Sequence, residues 1–153
     1  MKIGQQRRIP ATKPGAKQKR HIFGGYNWLK DTITWTTAQT KNSAAFISFL
    51  EELLVKKYPT GRVILVMDNA SYHKSASALA ALSLFEHRVM VIWLPPYCSD
   101  LNPIERFWRF LKDNACANKL QDNIDQVVKS AENTMICQND PTVDLRYHVS
   151  KNL

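Results

Sequence analysis

The first regular pattern along the chain is a β-hairpin followed by an amphipathic helix. Residues 21–28 and 32–38 are rich in aromatic and β-branched side chains, and Asp31 lies in the short segment between them. Two such runs separated by a turn predict paired antiparallel strands, with Asp31 as a turn residue. Apolar residues then recur at helical spacing over residues 46–54, after the candidate cap Asn42, and this spacing predicts a helix.

Two short and continuous apolar runs follow, at residues 63–67 and 89–94. Each run is too short for an independent helix and is typical of a strand that is buried on both faces. Between them Leu79, Leu82 and Phe85 recur at helical spacing. Strand, helix and strand in this order predict a parallel pair that is joined by a right-handed crossover.

Two further helices are predicted in the last third of the chain. Pro95 and Pro96 end the second apolar run, and Pro103 opens a helix that carries its apolar residues on one face. A final helix is predicted from Asp122 to about Ile136. The alternation of strands and helices indicates an α/β fold.

The charge is distributed unevenly along the chain. Lys and Arg outnumber Asp and Glu by 21 to 13, and seven basic residues but no acid lie in residues 1–20. We therefore divide the chain into a basic arm or loop over residues 1–20 and one globular domain over residues 21–153. The arm is expected either to bind a polyanion by releasing counterions from phosphates or to be a solvated, partly disordered end.

Composition also argues against several classes of protein. The cysteines, Cys98, Cys116 and Cys137, form no C-x-x-C pair, so neither a disulfide framework nor a zinc site is expected. The longest apolar run, 89–94, is too short to cross a bilayer, and the first twenty residues contain no apolar core of a signal peptide. We therefore expect a cytoplasmic protein without a membrane partner.

Two acidic residues stand out by their position. Asp68 directly follows the run 63–67, at the kind of strand end where open α/β sheets gather ligands, although an Asp-Asn pair also forms Asx turns there. Glu105 follows Asn102 and Pro103 in the first turn of a predicted helix, where a capping box is the alternative role. The local pattern alone leaves both roles open for each acid.

The sequence around these acids is more specific. Residues 66–74 read V-M-D-N-A-S-Y-H-K, and residues 94–108 read L-P-P-Y-C-S-D-L-N-P-I-E-R-F-W. The two motifs closely resemble the catalytic core of the mariner-related insertion-sequence transposases, a branch of the DDE superfamily. In that family the Asp of the first motif and the Glu of the second are the second and third catalytic acids, which correspond to Asp68 and Glu105. The 36 residues between them fit the spacing of the family.

The resemblance implies a ribonuclease H-like mixed sheet flanked by helices, and metal-dependent cleavage and strand transfer of DNA. Such reactions use two Mg²⁺ or Mn²⁺ ions about 4 Å apart, and hard ions prefer carboxylate oxygen. Asp68 and Glu105 are therefore expected to be catalytic residues and metal ligands, with transposon ends and target DNA as partners. Trp108, one turn from Glu105, is expected in the core rather than stacked on a base. Neighbouring polar residues are expected to contact DNA, with a solvated surface as the alternative: Asn69, His73, Lys74, Arg106, Arg109 and Lys112.

The chain departs from the family pattern on its N-terminal side. The first Asp of the family belongs to a strand before the hairpin, whereas no Asp or Glu precedes Asp31 in this sequence. We therefore expect an N-terminally truncated domain that lacks its first, central strand and is inactive alone. An upstream-encoded transposase half or a second copy of the chain is the implied protein partner. The alternative function is that of a non-catalytic DNA-binding or assembly partner of a full-length transposase.

Overall fold

The computed structural model describes residues 2–3, 7–9, 19–115 and 123–149, with side chains in the last two ranges. Its strands are β1 Lys2–Ile3, β2 Arg7–Ile9, β3 Arg20–Asn27, β4 Thr32–Ala38, β5 Val63–Met67 and β6 Val89–Trp93. Its helices are α1 Ser43–Glu51, which continues as a π-helical turn over Glu52–Lys57, α2 Ala76–Ser83, α3 Ile104–Ala115 and α4 Ile124–Asn139. No helix in these ranges is long and apolar enough to span a membrane.

The strands form one mixed sheet. β4 pairs antiparallel with β3 over the whole length of the hairpin. β1 and β2 also pair antiparallel with β3, and because β4 takes one edge of β3, they share the other edge. β1 pairs parallel with β5 through Lys2 and Val66, and β5 pairs parallel with β6. β4, β3 and β1 therefore alternate in direction across the sheet, whereas β1, β5 and β6 run parallel to one another.

The central position of this sheet is occupied, contrary to the expectation from the sequence. β1 lies between β3 and β5, and β2 follows along the same edge of β3. The prediction that the central strand is missing is therefore wrong, and residues 1–20 contain two strands rather than only an arm or loop. Both strands are too short to give a periodic pattern, and they form because neighbouring strands satisfy their backbone groups. Neither contains an Asp or Glu.

Two apolar layers cover opposite faces of the sheet. The alternation of side chains along β3 separates them, because Ile22 and Tyr26 pack against α3 and α4, whereas Phe23 packs against the layer of α1 and α2. Each large apolar side chain that is fully buried contributes roughly 1.5–3 kcal/mol. The fold is therefore a sheet with helices on both faces, as the sequence predicts.

One half of the sheet is less covered than the sequence predicts. Leu65 and Met67 of β5 are buried under α1 and α2, but Ile64 is 45% exposed. Met90 and Ile92 of β6 are 62% and 45% exposed. The prediction that both strands are buried on both faces is therefore wrong, because α3 and α4 pack over β3 and β4 instead.

The cap of α1 is the predicted one, whereas α4 differs from its predicted bounds. The side chain of Asn42 accepts a hydrogen bond of 2.9 Å from the backbone of Ala45 and caps α1, as predicted. α4 is capped by Asn123, whose side chain accepts from the backbone of Gln126 at 3.0 Å, and it ends at Asn139 rather than near residue 136. Asp122, the predicted start of this helix, lies outside the described residues.

Asp31 joins the tip of the hairpin to the C-terminal segment 146–149. It has a φ of 52°, in the left-handed region that Asp tolerates better than most residues. Its carboxylate accepts hydrogen bonds from the Tyr26 hydroxyl at 2.7 Å and the Val149 N–H at 3.0 Å, and it lies 3.1 Å from Nδ1 of His148. Burial alone would raise the pKa of Asp31, but these hydrogen bonds outweigh burial and lower the pKa. Asp31 is therefore a turn residue, as predicted, that also anchors the C-terminal segment.

The variant D31N tests this anchor, because Asn keeps a side chain that tolerates the left-handed backbone and removes the charge. We expect D31N to lower the free energy of unfolding at pH 7 by about 1–3 kcal/mol in urea denaturation. Since the folded-state pKa of Asp31 is lowered, its contribution is present above the unfolded pKa of about 3.9 and is lost as the pH falls through the folded pKa. If the free energies of unfolding of D31N and the native chain differ by the same amount at neutral and acidic pH, Asp31 does not stabilise the fold through its charged form. D144N, at an exposed Asp, is the control.

Candidate functional site

Asp68 directly follows β5 and is 6% exposed. Its Oδ1 accepts a hydrogen bond from the Ala70 N–H at 3.0 Å, which forms an Asx turn. The same oxygen lies 3.0 Å from Nδ1 of His73. The Asx turn that the sequence left open is therefore present. It does not exclude a metal ligand, because a carboxylate has two oxygens and about four lone-pair positions.

His73 is the partner of Asp68 and is only 1% exposed. Its Nδ1 lies near two acceptors, the carboxylate of Asp68 at 3.0 Å and the backbone oxygen of Asp68 at 3.3 Å, so Nδ1 carries a proton and donates it. The ring packs against Phe46 and Tyr72 at centroid distances of 4.5 and 4.3 Å. This burial contradicts the alternative of an exposed loop, and a phosphate contact through His73 stays a prediction. His73 orients the Asp68 carboxylate.

Asn69 ties together the ends of β5 and β6. Its Nδ2 donates to the carbonyl oxygen of Leu94 at 2.5 Å, and the Leu94 N–H donates to the carbonyl of Met67 at 2.7 Å. The amide of Asn69 therefore stabilises the strand ends beside Asp68, and a DNA contact through Asn69 stays a prediction.

Glu105 lies in the first turn of α3 and is 8% exposed. The backbone N–H of Asn102 would donate to the Glu105 carboxylate in a capping box. In the structure this N–H donates to the carbonyl of Ser99 at 3.0 Å instead. The Asn102 N–H therefore has a backbone acceptor, and a capping role of Glu105 stays an alternative.

The strand register relates Asp68 to the other half of the sheet. Tyr26 of β3 and Val66 of β5 both pair with Lys2, so they lie in one row and on one face. Gly24 lies two residues beyond Tyr26, and Asp68 lies two residues beyond Val66, both toward the same end of the sheet. If the alternation continues past β5, they share the next row on that face.

α3 crosses the sheet at this row. The indole of Trp108 packs on Gly24 so closely that a Cβ on residue 24 would lie 2.5 and 2.7 Å from two ring carbons. Trp108 is 2% exposed, which confirms its predicted place in the core. Glu105 is one turn before Trp108, on the same side of α3. Gly24 therefore sets how closely the first turn of α3 approaches the sheet.

The variant G24A tests this approach, because the added methyl group would collide with the Trp108 indole. We expect G24A to lower the free energy of unfolding by about 1–3 kcal/mol in urea denaturation. Trp108→Phe removes the two ring carbons that clash, so the double variant should be more stable than the sum of the two single effects predicts. Strict additivity would mean that the indole is not what requires glycine at this position.

The remaining residues that were predicted to contact DNA lie on the surface. Lys74 is exposed, with Nζ 4.7 Å from the centroid of the Trp93 ring. Arg106, Arg109 and Lys112 are exposed along α3. Their position is compatible with a nucleic-acid surface, and DNA contact stays a prediction for these four residues.

The donors at the site suit a hard cation by type. Asp68 and Glu105 offer carboxylate oxygen, the ligand that Mg²⁺ and Mn²⁺ prefer, whereas Nδ1 of His73 is already engaged with Asp68. Over residues 19–115 and 123–149, no three side chains of His, Cys, Asp or Glu are grouped so as to hold a metal ion. The described part of the chain thus offers two carboxylates of the right chemistry but no complete set of ligands.

The hydrogen bond between His73 and Asp68 makes a testable contribution to stability. His73→Phe keeps an aromatic ring of similar size and removes the Nδ1 donor. We expect this variant to lower the free energy of unfolding by about 1–3 kcal/mol, because a buried carboxylate loses a donor. Chemical denaturation measures the change, with His87→Phe at an exposed histidine as the control. Equal stability of H73F and the native chain would show that the hydrogen bond contributes nothing.

The arrangement of the sheet and helices is that of a ribonuclease H-like catalytic domain. The catalytic domain of Mos1 mariner transposase superposes with a TM-score of 0.69 at 18% identity, covering 88% of this chain and 69% of that one. The catalytic core domain of BIV integrase superposes with a TM-score of 0.65 at 11% identity, covering 99% of this chain and 90% of that one. At these identities the likeness concerns the fold, and it confirms the predicted fold class.

Sequence comparison gives the family. Residues 1–128 match the model of the DDE superfamily endonucleases, and the chain belongs to this family. It is 28% identical over 132 residues to the insertion element IS630 uncharacterized 39 kDa protein of Shigella sonnei, which covers 86% of this chain and 38% of that protein. An uncharacterized protein of Sinorhizobium fredii, y4pE/y4sA, is 28% identical over 65 residues, or 42% of this chain and 44% of that protein. The predicted resemblance to mariner-related insertion-sequence transposases is confirmed, and the chain spans less than half the length of these curated relatives.

Proposed function

We propose that this chain forms the greater part of a catalytic domain for metal-dependent DNA cleavage and strand transfer in DNA transposition. The observation that carries the proposal is the burial of two carboxylates, Asp68 at 6% and Glu105 at 8% exposure, within the two motifs of the family. Burying a carboxylate is unfavourable unless a partner or a cation compensates its charge, so a bound cation would add to the hydrogen bonds that Asp68 already accepts.

The metal ion that these carboxylates are proposed to bind is Mg²⁺ or Mn²⁺. The Mos1 transposase catalytic domain has been solved with Mn and with Mg. In this chain Asp68 would bind from the end of β5, in the orientation that His73 and the Ala70 N–H impose, and Glu105 from the first turn of α3. A pair of such ions stabilises the attacking and leaving oxygens of an in-line displacement at phosphorus.

The proposed partner is DNA, as transposon ends and target. Mos1 transposase has been solved as a paired-end complex with the left transposon end and as a strand transfer complex. For this chain, exposed basic residues on and near α3, together with the basic residues of the segment 1–20, support binding to phosphates. Lys74, Arg106, Arg109 and Lys112 are the proposed contacts in the described part of the domain.

We further propose that these 153 residues do not complete the metal site by themselves. β1, between β3 and β5, and β2, beside β3, contain no acid, and Asp31, the first acid in the sequence, is engaged with Tyr26 and Val149. A third carboxylate would come from an upstream-encoded transposase half or from a second copy of the chain. The alternative of a non-catalytic DNA-binding or assembly protein requires no metal binding at all.

The proposal is tested by measuring Mn²⁺ binding to the 153-residue chain with electron paramagnetic resonance. We expect measurable binding that D68N and E105Q each weaken by at least about tenfold, as loss of a ligand demands. E86Q and D144N, at exposed acids, should leave it unchanged. In a parallel assay the chain alone should not nick plasmid DNA in Mg²⁺, and addition of an upstream transposase segment with its Asp should restore nicking.

Each part of this proposal can fail separately. Mn²⁺ binding that survives both D68N and E105Q would remove these residues from the metal site and favour the non-catalytic alternative. Nicking by the 153-residue chain alone would mean that it contains its own third carboxylate, and Asp31 would be the first residue to replace.

A further inference from the structure

We propose that α3 and the segment 146–149 form an anion-binding pocket, here called the α3 pocket, which holds a backbone phosphate of DNA beside the carboxylate site. The pocket has a volume of about 320 Å³ and is lined by Arg106, Arg109, Phe110, Asp113, Asn114 and Tyr147. The choice of DNA as the source of the phosphate rests on the proposed function, whereas the anion site itself rests only on the geometry of the pocket.

The charge of the α3 pocket favours an anion. Arg106 and Arg109 contribute two guanidinium groups against one carboxylate from Asp113, which leaves one positive charge in excess. The Arg109 side chain is exposed on α3 and lines the pocket, so its guanidinium can reach an anion there. A guanidinium group binds phosphate through two parallel N–H donors, which makes arginine well suited to such a site.

A buried hydroxyl in the wall of the pocket is the second observation. Tyr147 is 7% exposed, and its hydroxyl makes no hydrogen bond with any residue of the described ranges. Burial raises the pKa of Tyr147 despite the opposing positive charges of Arg106 and Arg109, so the hydroxyl remains a donor at neutral pH. The arginine side chains offer only donors, and an unpaired buried hydroxyl is unusual in a folded protein. A phosphate oxygen between the arginines would supply the missing acceptor, and because the hydroxyl has almost no accessible surface, the side chains around it must shift to admit that oxygen.

The position of Tyr147 is fixed before any ligand enters. Its N–H donates to Oε1 of Gln138 at 2.8 Å, and its carbonyl accepts from Nε2 of the same side chain at 2.8 Å. Its ring packs against Phe107 and Phe110 at centroid distances of 6.2 and 5.8 Å. Asp31 holds the following residue, His148, through the contact of 3.1 Å. A preorganised donor reduces the entropy lost on binding.

The α3 pocket borders the carboxylate site without being part of it. Glu105 and Arg109 lie one turn apart on α3, about 6 Å along the helix axis. A DNA strand rises about 3.4 Å per nucleotide, so this separation corresponds to one or two nucleotides. A phosphate in the pocket would therefore hold the strand that passes Glu105, and Tyr147, Arg106 and Arg109 are positioning residues rather than catalytic ones.

The first experiment titrates inorganic phosphate into the 153-residue chain and follows backbone amide signals by NMR. Tyr147→Phe removes only the unpaired hydroxyl, and Arg109→Gln changes an exposed side chain, so both variants should keep the fold. We expect the dissociation constant for phosphate to rise about tenfold in each variant, because each loses a hydrogen bond to a charged ligand. Tyr97→Phe and Arg62→Gln, at exposed residues outside the pocket, are the matched controls. Unchanged phosphate affinity in both Y147F and R109Q would overturn the anion site.

The second experiment measures the affinity for a short DNA duplex as a function of NaCl concentration. R109Q should reduce the slope of log K against log salt by about one, as the loss of one phosphate contact predicts. Y147F should weaken binding without changing the slope, because the hydroxyl is neutral. If phosphate affinity falls in both variants while DNA affinity and slope are unchanged, the pocket takes a free anion and the proposed ligand is wrong. Y147F should keep Mn²⁺ binding, whereas D68N should lose it and keep phosphate binding, so failure of the metal site is distinguishable from failure of the pocket.

Discussion

The contact between Gly24 and Trp108 is the constraint on which the rest of the candidate site depends. The indole lies where a Cβ would otherwise be, so α3 packs directly on the backbone of β3. This close approach brings the buried face of α3, including Glu105, down onto the sheet near the row that Asp68 extends. The same packing leaves Arg106 and Arg109 exposed along α3, so one glycine sets the place of both the acidic and the basic residues.

The sequence predicts those elements whose signals are local. The hairpin, the Asn42 cap and the strand before Asp68 each depend on residues within one short window, and all are found in the structure. β1 could not be predicted in this way, because its two residues become a strand only through partners in β3 and β5. The exposure of Ile64 could not be predicted either, because its burial depends on the part of the sheet that α3 covers. The contact between Trp108 and Gly24 places α3 over β3 instead.

In the candidate site, too, the sequence reveals what local motifs carry but not the contacts that the fold creates. The motifs identify Asp68 and Glu105 as candidates, but they do not reveal that a 3₁₀ turn over Ser71–His73 returns the imidazole to Asp68. A His five residues after an Asp, with a short turn between them, is a signal that could have suggested this contact. No comparable signal exists for Tyr147, which reaches α3 only because Gln138 and Asp31 fix the C-terminal segment.

The supports that orient the two carboxylates differ in kind. Asp68 is oriented by donors from its own loop, and Glu105 by the packing of α3 through Trp108. Clustered carboxylates repel one another, and metal ions normally offset this repulsion. β1, the strand beside β5, carries no acid and adds no carboxylate to this repulsion. Because both orientations come from contacts within the protein, they do not require a bound cation.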